Sequence, residues 1–264
     1  MFRLLTTRKK FRRDRLEITL IIQVMVAVFL GSLMRSIFGF GDSVISMPLL
    51  ALLPIPFSTS VALIGLTGLT SAFYYAVSSW QDKDTVILKK LSLATLVGIP
   101  CGLLLVRFAS EEWISFLLGI LLVAYSIFSL TGSRARQVAL QKKFAHPHAS
   151  YPFGFAAGML GSAYNMNGIP VVLYAAGRDW TPKQYSSNVQ AHFFVSSALV
   201  ILSHIIGGFY TTSLAILYLA SIPAVLLAIL IGNQLYARIP VDNIKRYIFY
   251  LIFLLGLLNL IKFF

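Results

Sequence analysis

Two apolar stretches of this chain are interrupted in the same way. Residues 39–53 read G-F-G-D-S-V-I-S-M-P-L-L-A-L-L, and residues 161–175 read G-S-A-Y-N-M-N-G-I-P-V-V-L-Y-A. In each, a glycine, a short polar run and a proline stand among residues hydrophobic enough for a bilayer core. Hydrocarbon offers no partner to an open backbone, so such a break is stable only where protein covers it or where it lines a cavity. Pro48 and Pro170, taken as the helix-break prolines, lie 122 positions apart; Pro100 in V-G-I-P-C-G and Pro223 in A-S-I-P-A-V lie 123 apart. Two proline pairs at nearly one offset predict a duplicated helical unit with one broken segment per copy.

The chain is 58% hydrophobic and 12% charged, and several of its apolar runs approach the roughly 20 residues that a helix needs to cross a bilayer. Long segments are expected at 16–38, 57–79, 91–106 and 112–131, with a short one at 43–53. They recur at 151–164, 185–206, 213–231 and 243–264, with a short one at 169–177. The expected fold is an all-α integral membrane protein of two tandem homologous helical repeats, about eight spans plus two short broken or re-entrant helices. It divides into a basic cytoplasmic tail (1–15), a first transmembrane repeat (16–131), a basic linker (132–150) and a second transmembrane repeat (151–264).

Basic residues outnumber acidic ones 22 to 9, but their placement removes nucleic acid as the explanation. Seven lie in residues 1–15, and Arg134, Arg136, Lys142 and Lys143 lie in the linker. Basic segments flanking spans are what cytoplasmic loops carry. Four crossings per half put both segments, with Lys83, Lys89, Lys90 and Lys262, on one side of the cell membrane, and that side then holds fifteen of the 22 basic residues. An inverted repeat needs an odd number of crossings per half and ranks second, because it moves the linker outside. The basic start and the apolar run from Ile18 resemble a signal peptide, yet no small-residue cleavage site follows, so the run reads as a retained span. Cys101 is the only cysteine, which excludes an intramolecular disulfide and a cysteine metal cage. The H-P-H at 146–148 supplies too few ligands for a structural zinc, and nothing calls for a cofactor.

The residues at the breaks carry the chemistry. A helix restarting inside a membrane presents free N–H groups and a partial positive charge, which suit an anion. Gly39, Gly41, Asp42 and Ser43 in the first copy, and Asn165, Asn167 and Gly168 in the second, are the candidates for such a site. The competing reading is that the glycines only allow close packing, as Gly154, Gly158 and Gly161 do by spacing. Asp42 would repel an anion and is costly in a membrane, so it needs a partner or a role in coupling. Arg35, seven residues earlier, is the partner the chain reversal can bring to it. G-F-G-D at 39–42 also matches the G-x-G-D of intramembrane aspartyl proteases, but that chemistry needs a second carboxylate at the same depth, and the other aspartates fall in the tail or in loops.

Two further helices bear polar stripes. Ser60, Thr67, Ser71 and Ser78 share one face of 57–79, and line a path or bond across a helix seam. The 185–206 helix carries Asn188, His192, Ser196 and Ser203 on one face and Gln190, Ser197 and His204 on another, so it should be enclosed. The sevenfold spacing of Gln190, Ser197 and His204 suits a helix seam, leaving Asn188, His192 and Ser196 for the cavity.

The two glycine-then-proline breaks, the second preceded by Gly154, Gly158 and Gly161, and the later I-P motif in each half together resemble the sulfite exporter TauE/SafE family, from about residue 20 to the end. The resemblance implies a permease moving sulfur-containing organic or inorganic anions, or related small carboxylates, across the cytoplasmic membrane. Asp42 and Ser43, and Tyr164 to Asn167, stand where the family usually has glycines, so the substrate need not be sulfite. The partners implied are a small anion, the lipid bilayer, a coupling proton or cation and further copies of the chain. A passive anion channel on the same site is the alternative to alternating access.

Overall fold

The structure, a computed structural model, describes residues 2–132, 138–139, 146–236 and 241–263. The basic linker residues Arg134, Arg136, Lys142 and Lys143 lie outside these, as does the side chain of Ser78. Among the described residues there are ten α-helices and no strand: α1 (Phe2–Phe38), α2 (Asp42–Ala51), α3 (Phe57–Ser79), α4 (Thr85–Phe108), α5 (Glu111–Thr131), α6 (Ser150–Tyr164), α7 (Gly168–Ala175), α8 (Pro182–Ile206), α9 (Thr212–Tyr236) and α10 (Val241–Ile261). Six are long and apolar enough to cross a membrane, namely α1 from Ile18, α3 to Val77, α4, α5, α8 and α9.

Helix starts follow local chemistry. Asp84 accepts from the amides of Val86 and Ile87, which begins α4 six residues before its apolar run. Ser110 accepts from Trp113 N to start α5. At α8, Thr181 and Gln184 form a reciprocal capping box with Pro182 in the first turn; both devices answer amides that no helical carbonyl reaches.

Packing sets the direction of each helix. Ser46 Oγ on α2 donates to Ala27 O on α1 at 2.9 Å, and Gly31 of α1 faces Asp42, so α2 runs back along α1. At the foot of α2, Lys262 Nζ, just past α10, donates to Ala51 O at 2.6 Å. There too Phe57 N, starting α3, donates to Glu111 Oε1, starting α5, at 2.9 Å. At the opposite end of the bundle, Asp84 N donates to Asn188 Oδ1 at 2.7 Å, and Lys183 pairs with Asp82 at 2.9 Å. Helix α6 runs parallel to α4: Gly154, Gly158 and Ser162 meet Leu91, Thr95 and Ile99 in that order.

The path from α1 to α5 therefore starts at the Lys262 end and finishes at the Asp84 end, and the path from α6 to α10 runs the other way. This corrects the one-sided count of basic residues, since Lys83, Lys89 and Lys90 sit at the end opposite Lys262. Hydropathy shows that a short segment exists but not that it turns the chain round. Helices α3 and α8 form the centre, with 61% of their spans buried against 33–39% for α1, α4, α5 and α9. The outer helices present Leu93, Val97, Leu219 and Leu230 outward, the apolar surface a bilayer requires.

Candidate functional site

Each break is made by residues that tolerate a left-handed backbone. Between α1 and α2, Gly39 has φ 79° and Gly41 φ 94°, values that side chains disfavour. Between α6 and α7, Asn165 takes φ 56°, the one non-glycine residue with positive φ among those described; asparagine is among the few residues that enter this region readily. The prolines do not make the breaks. Pro48 lies inside α2, and Pro170 is the third residue of α7, where its missing N–H costs nothing because first-turn amides have no helical acceptor.

Around the first break, the buried Arg35 guanidinium, 4% exposed, pairs with Asp42 Oδ2 at 2.8 Å. Its Nη2 donates to Gln190 Oε1 at 3.3 Å, and its Cζ stands 5.1 Å from the centre of the Phe193 ring. Gln190 Nε2 in turn donates to Gly39 O at 2.9 Å. Asp42 Oδ1 accepts from Ser43 N at 3.0 Å, so the start of α2 is already served by a carboxylate of its own.

The second break is held by amides and small side chains. Asn165 Nδ2 donates to Val61 O at 2.6 Å, and Asn167 Nδ2 donates to Ser196 Oγ at 2.5 Å. Gly168 faces both Phe193 and Phe40: a Cβ there would lie 3.4 Å from Phe193 Cζ and 3.6 Å from Phe40 Cβ. On α3, Gly65 faces Asn165 and Gly68 faces Asp42. The two breaks thus meet successive turns of α3 and share a row on α8, in which Gln190 holds the first, Ser196 the second and Phe193 touches both.

The structure sorts the expected site residues differently from their spacing. Asn188 accepts from Asp84 N and donates to Gln184 O, fastening the start of α4. His192 Nε2 lies 3.0 Å from Thr95 Oγ1 on α4. Neither faces a break, and Gln190, assigned by spacing to a seam, does. Ser71 is 1% exposed and donates back to Thr67 O at 3.1 Å, so its hydroxyl serves its own helix. Gly154 and Gly158 pack on α4, whereas Gly161 faces Asn167 and Val200. Gln190 and Ser196 lie three positions either side of Phe193, a row that joins the two polar stripes through an aromatic ring, and an aromatic ring is invisible to a search for polar stripes.

A cavity of about 370 Å³ ends on the first break, lined there by Arg35, Gly39, Phe40 and Gln190, and runs out between the ends of α3, α8 and α9. A second cavity, of about 380 Å³, lies at the Lys262 end between α2, α3 and α5 and is lined by Glu111, Glu112 and Lys262. Among the described residues no three His, Cys, Asp or Glu side chains gather as metal ligands.

No curated protein and no solved structure matches the chain significantly. A family model does: sulfite exporter TauE/SafE matches residues 24–258. That is a family of membrane transporters and not of enzymes, so the aspartyl protease reading of G-F-G-D is set aside. With the helical fold, the apolar outer faces and the matched length in agreement, this chain belongs to the sulfite exporter TauE/SafE family.

Proposed function

We propose that this protein carries a small anion, sulfur-containing or a related organic acid, across the cell membrane by alternating access, with the two breaks forming the binding region. The observation that carries this reading is the cavity that ends on a buried arginine at the first break. Arg35, already paired with Asp42, supplies guanidinium N–H donors to the anion. The dipole of α2 is a weaker anchor than spacing suggests, because Asp42 already occupies its N-terminus and an anion there would meet a like charge. Gly39, Gly41, Ser43, Asn165, Asn167, Gly168 and Ser196 hold the backbone that shapes the site; Asn188, His192 and Ser71 are left out of it.

We also read the halves as inverted repeats, a common plan in transporters. The helix pairings support this: α1 packs on α9 as α4 packs on α6, while α3 pairs with α8 and α5 with α10. Two half-molecules related in this way give two opposite-facing states by exchanging conformations.

The test is transport by the full chain in proteoliposomes. Saturable uptake of sulfite or an organic sulfonate is expected, abolished by Arg35→Gln, with uphill accumulation when a proton gradient is imposed. Accumulation excludes a channel; passive equilibration alone would establish one. If Asp42 couples a proton, Asp42→Asn flattens the pH dependence of uptake, and an unchanged profile removes it from that role.

A further inference from the structure

We infer that the preferred substrate is a monovalent organic anion with a flat apolar body, and not inorganic sulfite. This rests on the transport reading above and specifies the ligand of the same site. Three observations on the cavity at the first break support it.

The first is charge. Arg35 is the cation at the inner end, and Asp42 beside it cancels its unit charge at 2.8 Å. A bound monoanion leaves the buried group with one net negative charge, and a dianion leaves two, in surroundings where each uncompensated charge is costly. The second is the donor still free. Arg35 Nε is buried with no hydrogen-bond partner among the described residues, although Nη1 and Nη2 are both engaged. A single sulfonate or carboxylate oxygen satisfies it without breaking the ion pair, and Arg35 is among the residues that line the end of the cavity.

The third is shape. The cavity holds about 370 Å³, and besides Arg35 its lining includes Ile37, Phe38, Phe40, Tyr75, Tyr185 and Tyr236. That volume lies in the range of pockets for drug-sized molecules, roughly 300–1,000 Å³, which are mostly apolar with a few placed polar groups. A lone sulfite would leave this aromatic wall facing water and gain nothing from it. An aryl or alicyclic body attached to the anionic head removes that wall from water, at about 25 cal/mol for each Å² of apolar surface covered.

The experiment is competition binding to the full chain purified in detergent, with benzenesulfonate, methanesulfonate, sulfite and sulfate as competitors and radiolabelled benzenesulfonate as the probe. Benzenesulfonate is expected to bind at least tenfold more tightly than methanesulfonate or sulfite, and sulfate to bind weakest. In Phe38→Ala and Tyr185→Ala the benzenesulfonate to methanesulfonate ratio should fall at least fivefold, a readout independent of how much folded protein is recovered. Sulfite or sulfate binding as tightly as benzenesulfonate overturns the inference and leaves anion transport standing. Benzenesulfonate winning with a ratio unmoved by both variants overturns the assignment to this cavity. If no anion binds at all, the transport reading falls and the inference falls with it.

Discussion

Arg35 shows how much a single residue can cost and settle. A buried guanidinium is tolerated because a carboxylate, an amide and an aromatic ring surround it, and each would be worth little in water. Removing one partner leaves the charge uncompensated. Asp42→Ala is expected to destabilise the fold by about 3–5 kcal/mol, and the double variant Arg35→Gln/Asp42→Asn to recover most of that loss. Thermal unfolding in detergent measures both, and a double variant no better than the single one would show that the pair holds nothing beyond its parts. Asn165 offers a second test, since its backbone sits in the left-handed region and its side chain holds Val61 O. Asn165→Gly keeps the backbone and loses the bond, about 1–3 kcal/mol; Asn165→Ala adds a backbone penalty of about 1–2 kcal/mol. The expected order of melting temperature is wild type, then Gly, then Ala.

At the scale of elements, the closest seam is that between α4 and α6. Gly98 and Gly102 on one helix and Gly154 and Gly158 on the other bring the two backbones together, and Thr95 Oγ1 donates across to Gly154 O at 3.1 Å. Small residues four apart allow such approach where lipid supplies no hydrophobic drive for association. A Cβ at Gly158 would strike the carbonyl oxygen of Thr95, whereas one at Gly161 would meet only side-chain atoms at 3.3–3.4 Å. Gly158→Ala should therefore cost about 1–3 kcal/mol and Gly161→Ala distinctly less, as read by denaturant unfolding in mixed micelles; equal losses would mean that the seam yields. The spacing of these glycines was legible in the sequence. Their partner helix was not, because periodicity names a face and not what covers it. The same limit explains α8, where spacing gave Asn188 and His192 to the cavity yet both meet α4, while Gln190 and Phe193 meet the breaks.

The whole molecule is organised by where the short helices send the chain. Because α2 returns along α1, α3 starts at the end where α5 starts and α10 stops. Cysteines introduced on a Cys101→Ser background test this: Glu112→Cys and Phe263→Cys should label from one side of the membrane, Lys83→Cys and Tyr236→Cys from the other. Labelling of Lys83→Cys and Phe263→Cys from the same side would restore the four-crossing path that the charges suggested. The charges misled because basic residues are present at both ends, with Lys83, Lys89, Lys90, Arg178, Lys183 and Arg246 at one and the seven of residues 1–15, Arg107 and Lys262 at the other, so their bias is too even to orient the chain.

By itself the sequence determined the solvent and the secondary structure: apolar runs of bilayer length demand helices, and glycines and asparagines at two internal points demand interruptions, because backbone in hydrocarbon has no other partner. It also contained the ion pair, since Arg35 and Asp42 are near enough along the chain for a reversal to join them. Tertiary structure alone decided that the two breaks share one row of α8, that Gln190 holds the first of them, and that a large aromatic-walled cavity ends on Arg35. These depend on contacts between residues 29 to 151 positions apart, and the rotation of one packed helix against another leaves no mark on either helix's own periodicity.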